Sequence, residues 1–263
     1  MRILSIHAHP DDAEILAAGT LAILADKGHE IAIVTMTPGD CGSAEHAPDE
    51  IAAIRRLEGA AAAAMIGAKY VCAEFRDLAI FNDDRSRRRV TEILRRARPD
   101  LILTSAPSDY LCDHEMTSLL VRDACFAAPA PNYRTGAADP APAIEHIPHL
   151  YFMDPIGGVD REGRAVPPDF AVDVADKFDL KRDMLKAHAS QRKWLMRQHG
   201  MDDYIHTMER WTRKRGAQYG FEAGEGFRHY LGHPYPESPL LEELIGEERI
   251  RRPAAGALMP ASV

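Results

Sequence analysis

Apolar positions in the first half of the chain fall into short runs separated by longer amphipathic stretches. Residues 3–6 (Ile-Leu-Ser-Ile) and 30–36 (Glu-Ile-Ala-Ile-Val-Thr-Met) read as strands, because short apolar and β-branched runs bounded by turn signals fit a strand covered on both faces. Between them, residues 12–27 carry a helical pattern closed by Gly28, a residue suited to the left-handed position after a helix. Residues 2–36 therefore form one βαβ unit, a crossover that is right-handed and builds parallel sheets. The alternation continues with a helix over 48–66 ended by Gly67, a strand at 70–72 and a helix over 86–98 stopped by Pro99. A strand at 101–104 and a helix over 113–126 complete it.

This pattern predicts an α/β fold, a doubly wound and mostly parallel sheet between helices, in which ligands sit beyond the carboxyl ends of the strands. A 3-2-1-4 strand order makes the first and fourth strands neighbours. It brings the turn at 9–12 beside the loop at 109–114, a hundred residues downstream. Residues 127–148, rich in Ala and Pro, read as a long irregular connection. Strands are expected at 149–153 and 170–174, and one long helix over 176–198 carrying Lys186, His188 and Gln191. Residues 1–250 are read as a single unit with an elaborated C-terminal part, and 251–263 as a poorly ordered tail.

Composition narrows the function classes. With 263 residues, 46% hydrophobic and a formal charge of −8, the chain has the size for one large domain and no basic footprint for nucleic acid. Cys41, Cys72, Cys112 and Cys125 show no CxxC spacing, so reduced thiols are expected. No apolar run reaches the ~18 residues of a membrane span, and a strand beginning at Arg2 leaves no room for a leader. A soluble, cytoplasmic homo-oligomer acting on a small molecule, without nucleic acid or membrane partners, is the expectation.

The chemistry concentrates at the first strand-to-helix turn, where Ile6-His7-Ala8-His9-Pro10-Asp11-Asp12-Ala13-Glu14 offers imidazoles and carboxylates. Zinc takes such ligands, and metal-assisted hydrolysis also needs an unligated carboxylate to accept a proton from water. His9 and Asp12, three residues apart across a turn, can reach one ion. His114 is the best third ligand, with Asp113 before it as a carboxylate able to orient a ligand. Asp11 is then the general base, and His7 and Glu14 are supporting groups. Taken alone, Asp11 and Asp12 also read as helix-capping carboxylates.

At these positions the chain resembles the PIG-L or LmbE-like family of metal-dependent de-N-acetylases, whose first motif is A-H-P-D-D-x-E, here Ala8 to Glu14. The likeness continues through Gly19-Thr20, Lys27-Gly28-His29, Thr37 to Gly42, Arg55-x-x-Glu58, Asp77, Pro99-Asp100 and Asp109 to His114. It returns at His188-x-Ser190-Gln191. The resemblance implies a Rossmann-like fold and a zinc-dependent amidohydrolase, with Zn2+ or another divalent metal on His9, Asp12 and His114 and with Asp11 as base. It also implies a substrate-contacting arginine, for which Arg55 and Arg56 both qualify.

One position departs from the family. Its second motif often reads H-P-D-H, the first His helping to stabilise the oxyanion, whereas this chain has Leu111-Cys112-Asp113-His114. Loss of one such donor costs about 10²–10³ in rate. His188, His229, His233 and Tyr110 are the candidate replacements, and the first three are also candidate substrate contacts. Cys112 has alternative readings as a metal-ligating thiolate and as a packed side chain. The run from Glu225 to Pro236, dense in His, Arg and Tyr, reads equally as a binding loop or a packing segment. The expected reaction is removal of an N-acetyl or other N-acyl group from an amino sugar or its conjugate. The alternatives are an amidase acting on a non-sugar acyl compound and a metal-bound protein without turnover.

Overall fold

The computed structural model describes residues 1–199 and 203–253. The first half contains β1 (Arg2–His7), α1 (Asp12–Leu16), α2 (Ala18–Asp26), β2 (Glu30–Thr35), α3 (Pro48–Ala64), β3 (Lys69–Cys72), α4 (Asp84–Ala97), β4 (Leu101–Thr104) and α5 (Cys112–Ala127). The second contains β5 (His149–Met153), β6 (Phe170–Asp173), α6 (Phe178–Lys186), α7 (Ala189–His199), α8 (Asp203–Gln218), β7 (Gly224–His229), α9 (Leu240–Ile245) and β8 (Ile250–Arg251). Among the described residues these strands make one eight-stranded sheet, ordered β3-β2-β1-β4-β5-β7-β6-β8.

The five strands from β3 to β5 are parallel, so the expected 3-2-1-4 order holds. β7 then enters antiparallel between β5 and β6, and β8 closes the edge antiparallel to β6. Both faces are covered, which is why the parallel strands read as continuous apolar runs. Ile3, Leu101 and Leu103 join the core on one face, while Leu4, Ile6 and Ile102 join the other. Each such side chain contributes about 1.5–3 kcal/mol by burial.

Two expected helices are broken, and each break has a partner distant in sequence. The helix expected over 12–27 stops at Ala17, whose φ of −142° is not helical. At the restart, Glu225 of β7 accepts the backbone N–H groups of Gly19 and Thr20 at 2.9 and 2.8 Å. Buried Lys181 donates to Glu225 at 2.6 Å and to the Ile15 carbonyl at 2.8 Å, tying both pieces together. Gly19 is required at this crossing, since a Cβ there would lie 2.6 Å from the Val174 Cβ. The helix expected over 176–198 is likewise divided into α6 and α7. Glu58 of α3 accepts the Ser190 N–H and hydroxyl at 2.8 and 2.6 Å, satisfying donors at the start of α7.

The run from Glu225 to Pro236 is not all loop, because its first five residues lie in β7. Of the expected tail, Arg251 lies in β8, and residues 254–263 fall outside the described residues.

Candidate active site

β1 ends at His7 and its neighbour β4 at Thr104, with Ile6 opposite Thr104. The segments that follow both strands therefore emerge at the same edge of the sheet, where one nitrogen or oxygen atom from each of His9, Asp12 and His114, a group able to hold a metal ion, lies within 4.8 Å of the others. His114 Nε2 is 3.4 Å from Asp12 Oδ1, and His9 Nδ1 is 3.7 Å from Asp12 Oδ2.

The remaining ring nitrogens face other carboxylates. His9 Nε2 lies 3.2 Å from Asp113 Oδ2, and His114 Nδ1 lies 3.1 Å from Asp109 Oδ1. This leaves His9 Nδ1 and His114 Nε2 turned toward Asp12, the pattern in which a carboxylate fixes each imidazole that ligates a metal. Asp113 thus serves His9 and not the adjacent His114, because the Leu78 N–H also holds its Oδ2 at 2.7 Å. Burial alone would lower both histidines. Hydrogen bonds to Asp113 and Asp12 instead raise His9 to about 9, and Asp12 and Asp109 raise His114. Asp12 is held well below the ordinary carboxylate range by His114 and His9, against its burial. Three anionic groups around two imidazoles form a site complementary to a cation.

Asp11 stands apart from this cluster. It is the N-cap of α1, yet its side chain caps nothing, and its φ of 99° is a positive value that a residue with a Cβ rarely adopts. Such an outlier persists where its surroundings enforce it. Here Arg55 donates to the Pro10 carbonyl at 2.9 Å and lies 3.8 Å from Asp11 Oδ2. The hydroxyl of Tyr204 donates to the same oxygen at 2.6 Å. Burial pushes the Asp11 carboxyl above its usual range, and Arg55 only partly opposes this. Asp11 is therefore a buried carboxylate with elevated proton affinity beside the cluster, as a general base requires.

The other sequence candidates separate by position. Arg55 is buried at the site, whereas Arg56, one residue and 100° further round α3, is turned outward and pairs with Glu74 at 2.8 Å. His188 has no exposed surface and lies 3.5 Å from Glu14; burial works against its charge, and Glu14 and Asp11 raise it. His229 and His233 do not join the cluster. β7 runs antiparallel to β5 and places His229 opposite Tyr151, so the chain leaves toward the other edge of the sheet. Tyr110 does remain at the mouth, 67% exposed and edge-on to the His114 ring at 5.5 Å. Cys112 Sγ lies 3.8 Å from Asp113 Oδ1 and is in none of the candidate ligand groups among the described residues. His7, buried beneath the site beside Ser5, is lowered to about 4 by burial.

Asp109 and Tyr204 were not singled out from sequence. Asp109 falls within a recognisable motif and its role was open to inference. Tyr204 lies 193 residues from its partner and carries no local signal.

Residues 4–125 match the model of the PIG-L family, described as GlcNAc-PI de-N-acetylase. The likeness extends beyond those residues: a diacetylchitobiose deacetylase of Thermococcus kodakarensis is 26% identical over 203 residues, covering 72% of this chain and 70% of the relative. A 4-oxalmesaconate hydratase of Pseudomonas putida is also 26% identical, over 196 residues, covering 72% and 73%. The solved N,N'-diacetylchitobiose deacetylase of Pyrococcus horikoshii superimposes with a TM-score of 0.73 at 26% identity, covering 90% of this chain and 88% of that one. Relatives of similar identity thus carry names of different reactions.

Proposed function

We propose that the chain is a metal-dependent hydrolase that removes an N-acetyl group from an amino sugar or its conjugate. The observation that carries this reading is the buried Asp11 beside the His9, Asp12 and His114 cluster. Those three residues would hold the metal, with zinc the first choice for two imidazoles and one carboxylate. A divalent cation so held supplies Lewis acidity and makes water a nucleophile near neutral pH.

In this reading Asp11 accepts a proton from the attacking water and passes it to the departing nitrogen as the carbon–nitrogen bond breaks, yielding a free amine and a carboxylate. Tyr204 and Arg55 fix the direction in which Asp11 presents its oxygens. Asp113 and Asp109 hold the two imidazoles. Leu111 offers no hydrogen bond, and the exposed hydroxyl of Tyr110 is the donor that replaces the missing histidine. The named deacetylase relatives support an amino-sugar substrate.

The hydratase relative favours a second reading, addition of water to an unsaturated acid by the same base and metal ligands. A direct comparison separates the two. Zinc-loaded protein is assayed for acetate release from N-acetylglucosamine and diacetylchitobiose, and for loss of the alkene absorbance of unsaturated dicarboxylates. Acetate release supports the deacetylase; alkene loss without acetate release replaces it with the hydratase.

A further inference from the structure

Residues 78–81, Leu-Ala-Ile-Phe, form an entirely apolar segment between β3 and α4, yet of the four only Ile80 is buried. Leu78 and Phe81 are each 61% exposed. Single exposed apolar side chains are ordinary, whereas several on one loop mark a contact surface. The backbone is unusual as well. Leu78 has a φ of 60°, in the left-handed region that a residue with a Cβ rarely adopts, and such strain collects at functional sites.

Asp113 holds this segment beside the metal cluster. Its Oδ2 accepts the Leu78 N–H at 2.7 Å and faces His9 Nε2 at 3.2 Å, and Ile80 bonds the same carboxylate through its backbone. One carboxylate therefore separates the apolar segment from His9. The His9 side chain is 13% exposed, against 7% for Asp12 and 5% for His114, so the cluster opens toward solvent on the side where the segment lies. The loop before α5 continues the apolar surface there. Exposed Tyr110 meets the His114 ring edge-on, Leu111 is partly exposed, and the exposed Cys112 places its Sγ 3.8 Å from Asp113 Oδ1.

We propose that Leu78, Phe81 and Tyr110 form a specificity surface that receives an apolar group of the substrate, so that the amino-sugar conjugate carries an alkyl or aryl aglycone. This rests on the hydrolase reading, in which the acyl group is acetyl. An acetyl methyl is too small to cover a loop of four residues, so the apolar group belongs to the aglycone.

Acetate release from the methyl and phenyl glycosides of N-acetylglucosamine by the zinc-loaded protein tests it, with calorimetric binding of both glycosides to Asp11→Asn as a readout without turnover. Both kcat/KM and affinity should favour the phenyl glycoside by about tenfold or more, the scale of burying one apolar side chain. Phe81→Ser should remove most of that preference, and Phe81→Leu, which keeps an apolar side chain, should retain most of it. No acetate from either glycoside, with the binding preference intact, would overturn the hydrolase reading alone. Equal binding of the two glycosides, equal kcat/KM, or an undiminished preference in Phe81→Ser would each overturn this proposal.

Discussion

Tyr204 donates its hydroxyl hydrogen to Asp11 Oδ2 across 2.6 Å, joining α8 to a turn at the first strand. Both groups are buried, so the bond is shielded from water. A hydrogen bond to a charged group contributes about 1.5–3 kcal/mol. Tyr204→Phe is therefore expected to lower kcat by about tenfold or more, with metal content and KM little changed. Unchanged kcat in the folded variant would show that Asp11 needs no such support.

Asp11→Asn keeps the size of the side chain and removes its ability to accept a proton. The expected result is a loss of about 10²–10⁴ in kcat, the usual worth of general base catalysis, with metal stoichiometry retained. Elemental analysis of the same preparation distinguishes loss of the base from loss of the metal.

Asp113→Asn and Asp109→Asn each release one imidazole from the carboxylate that orients it. Chelator competition should show metal affinity reduced about 10–100-fold in each. Asp123→Asn, at a partly exposed pair with Arg122, is the control and should bind metal as the parent does.

Much of the site was legible because its pieces are local. His9, Asp11 and Asp12 sit within one turn, His114 opens a helix, and the crossover rule for parallel strands places the two segments together. The partners of that turn were not legible. Tyr204 reaches Asp11 from a helix that packs there only through the three-dimensional arrangement, and Glu225 interrupts the first helix from 206 residues away. The same limit concealed β7. Its Gly224, Gly226 and charged residues lack a strand pattern, and it forms because β5 and β6 flank it on both sides.

The Lys181 and Glu225 pair has essentially no solvent exposure and also holds the start of α2. Breaking a buried pair by removing one partner costs about 3–5 kcal/mol. Glu225→Gln should lose that much in urea unfolding. A loss below about 1 kcal/mol would mean that α2 is held by other contacts.

Mild acidification should remove the stability contributed by one pair of histidines. His149 and His229, stacked with ring centroids 6.1 Å apart, are both lowered from the ordinary histidine value, chiefly by burial. The unfolded chain takes up protons near pH 6.5 that the folded chain does not. Their contribution is therefore complete above that pH and declines as pH drops through it toward the lowered folded values. Because the raised His9 and His114 act in the opposite sense, the decline is read as a difference: the unfolding free energy of the parent minus that of a His149→Gln, His229→Gln variant should fall between pH 8 and 5. An identical slope in the variant would assign the decline to other groups.

The central claim is that His9, Asp12 and His114 hold a metal on which amide hydrolysis depends. Its most direct test is acetate release from diacetylchitobiose by protein stripped with a chelator, then titrated with Zn2+. Activity should vanish on stripping and return in proportion to bound zinc, reaching its maximum at one ion per chain, while His114→Ala gives no return. Full activity in the metal-free protein, or full restoration in His114→Ala, would contradict the account.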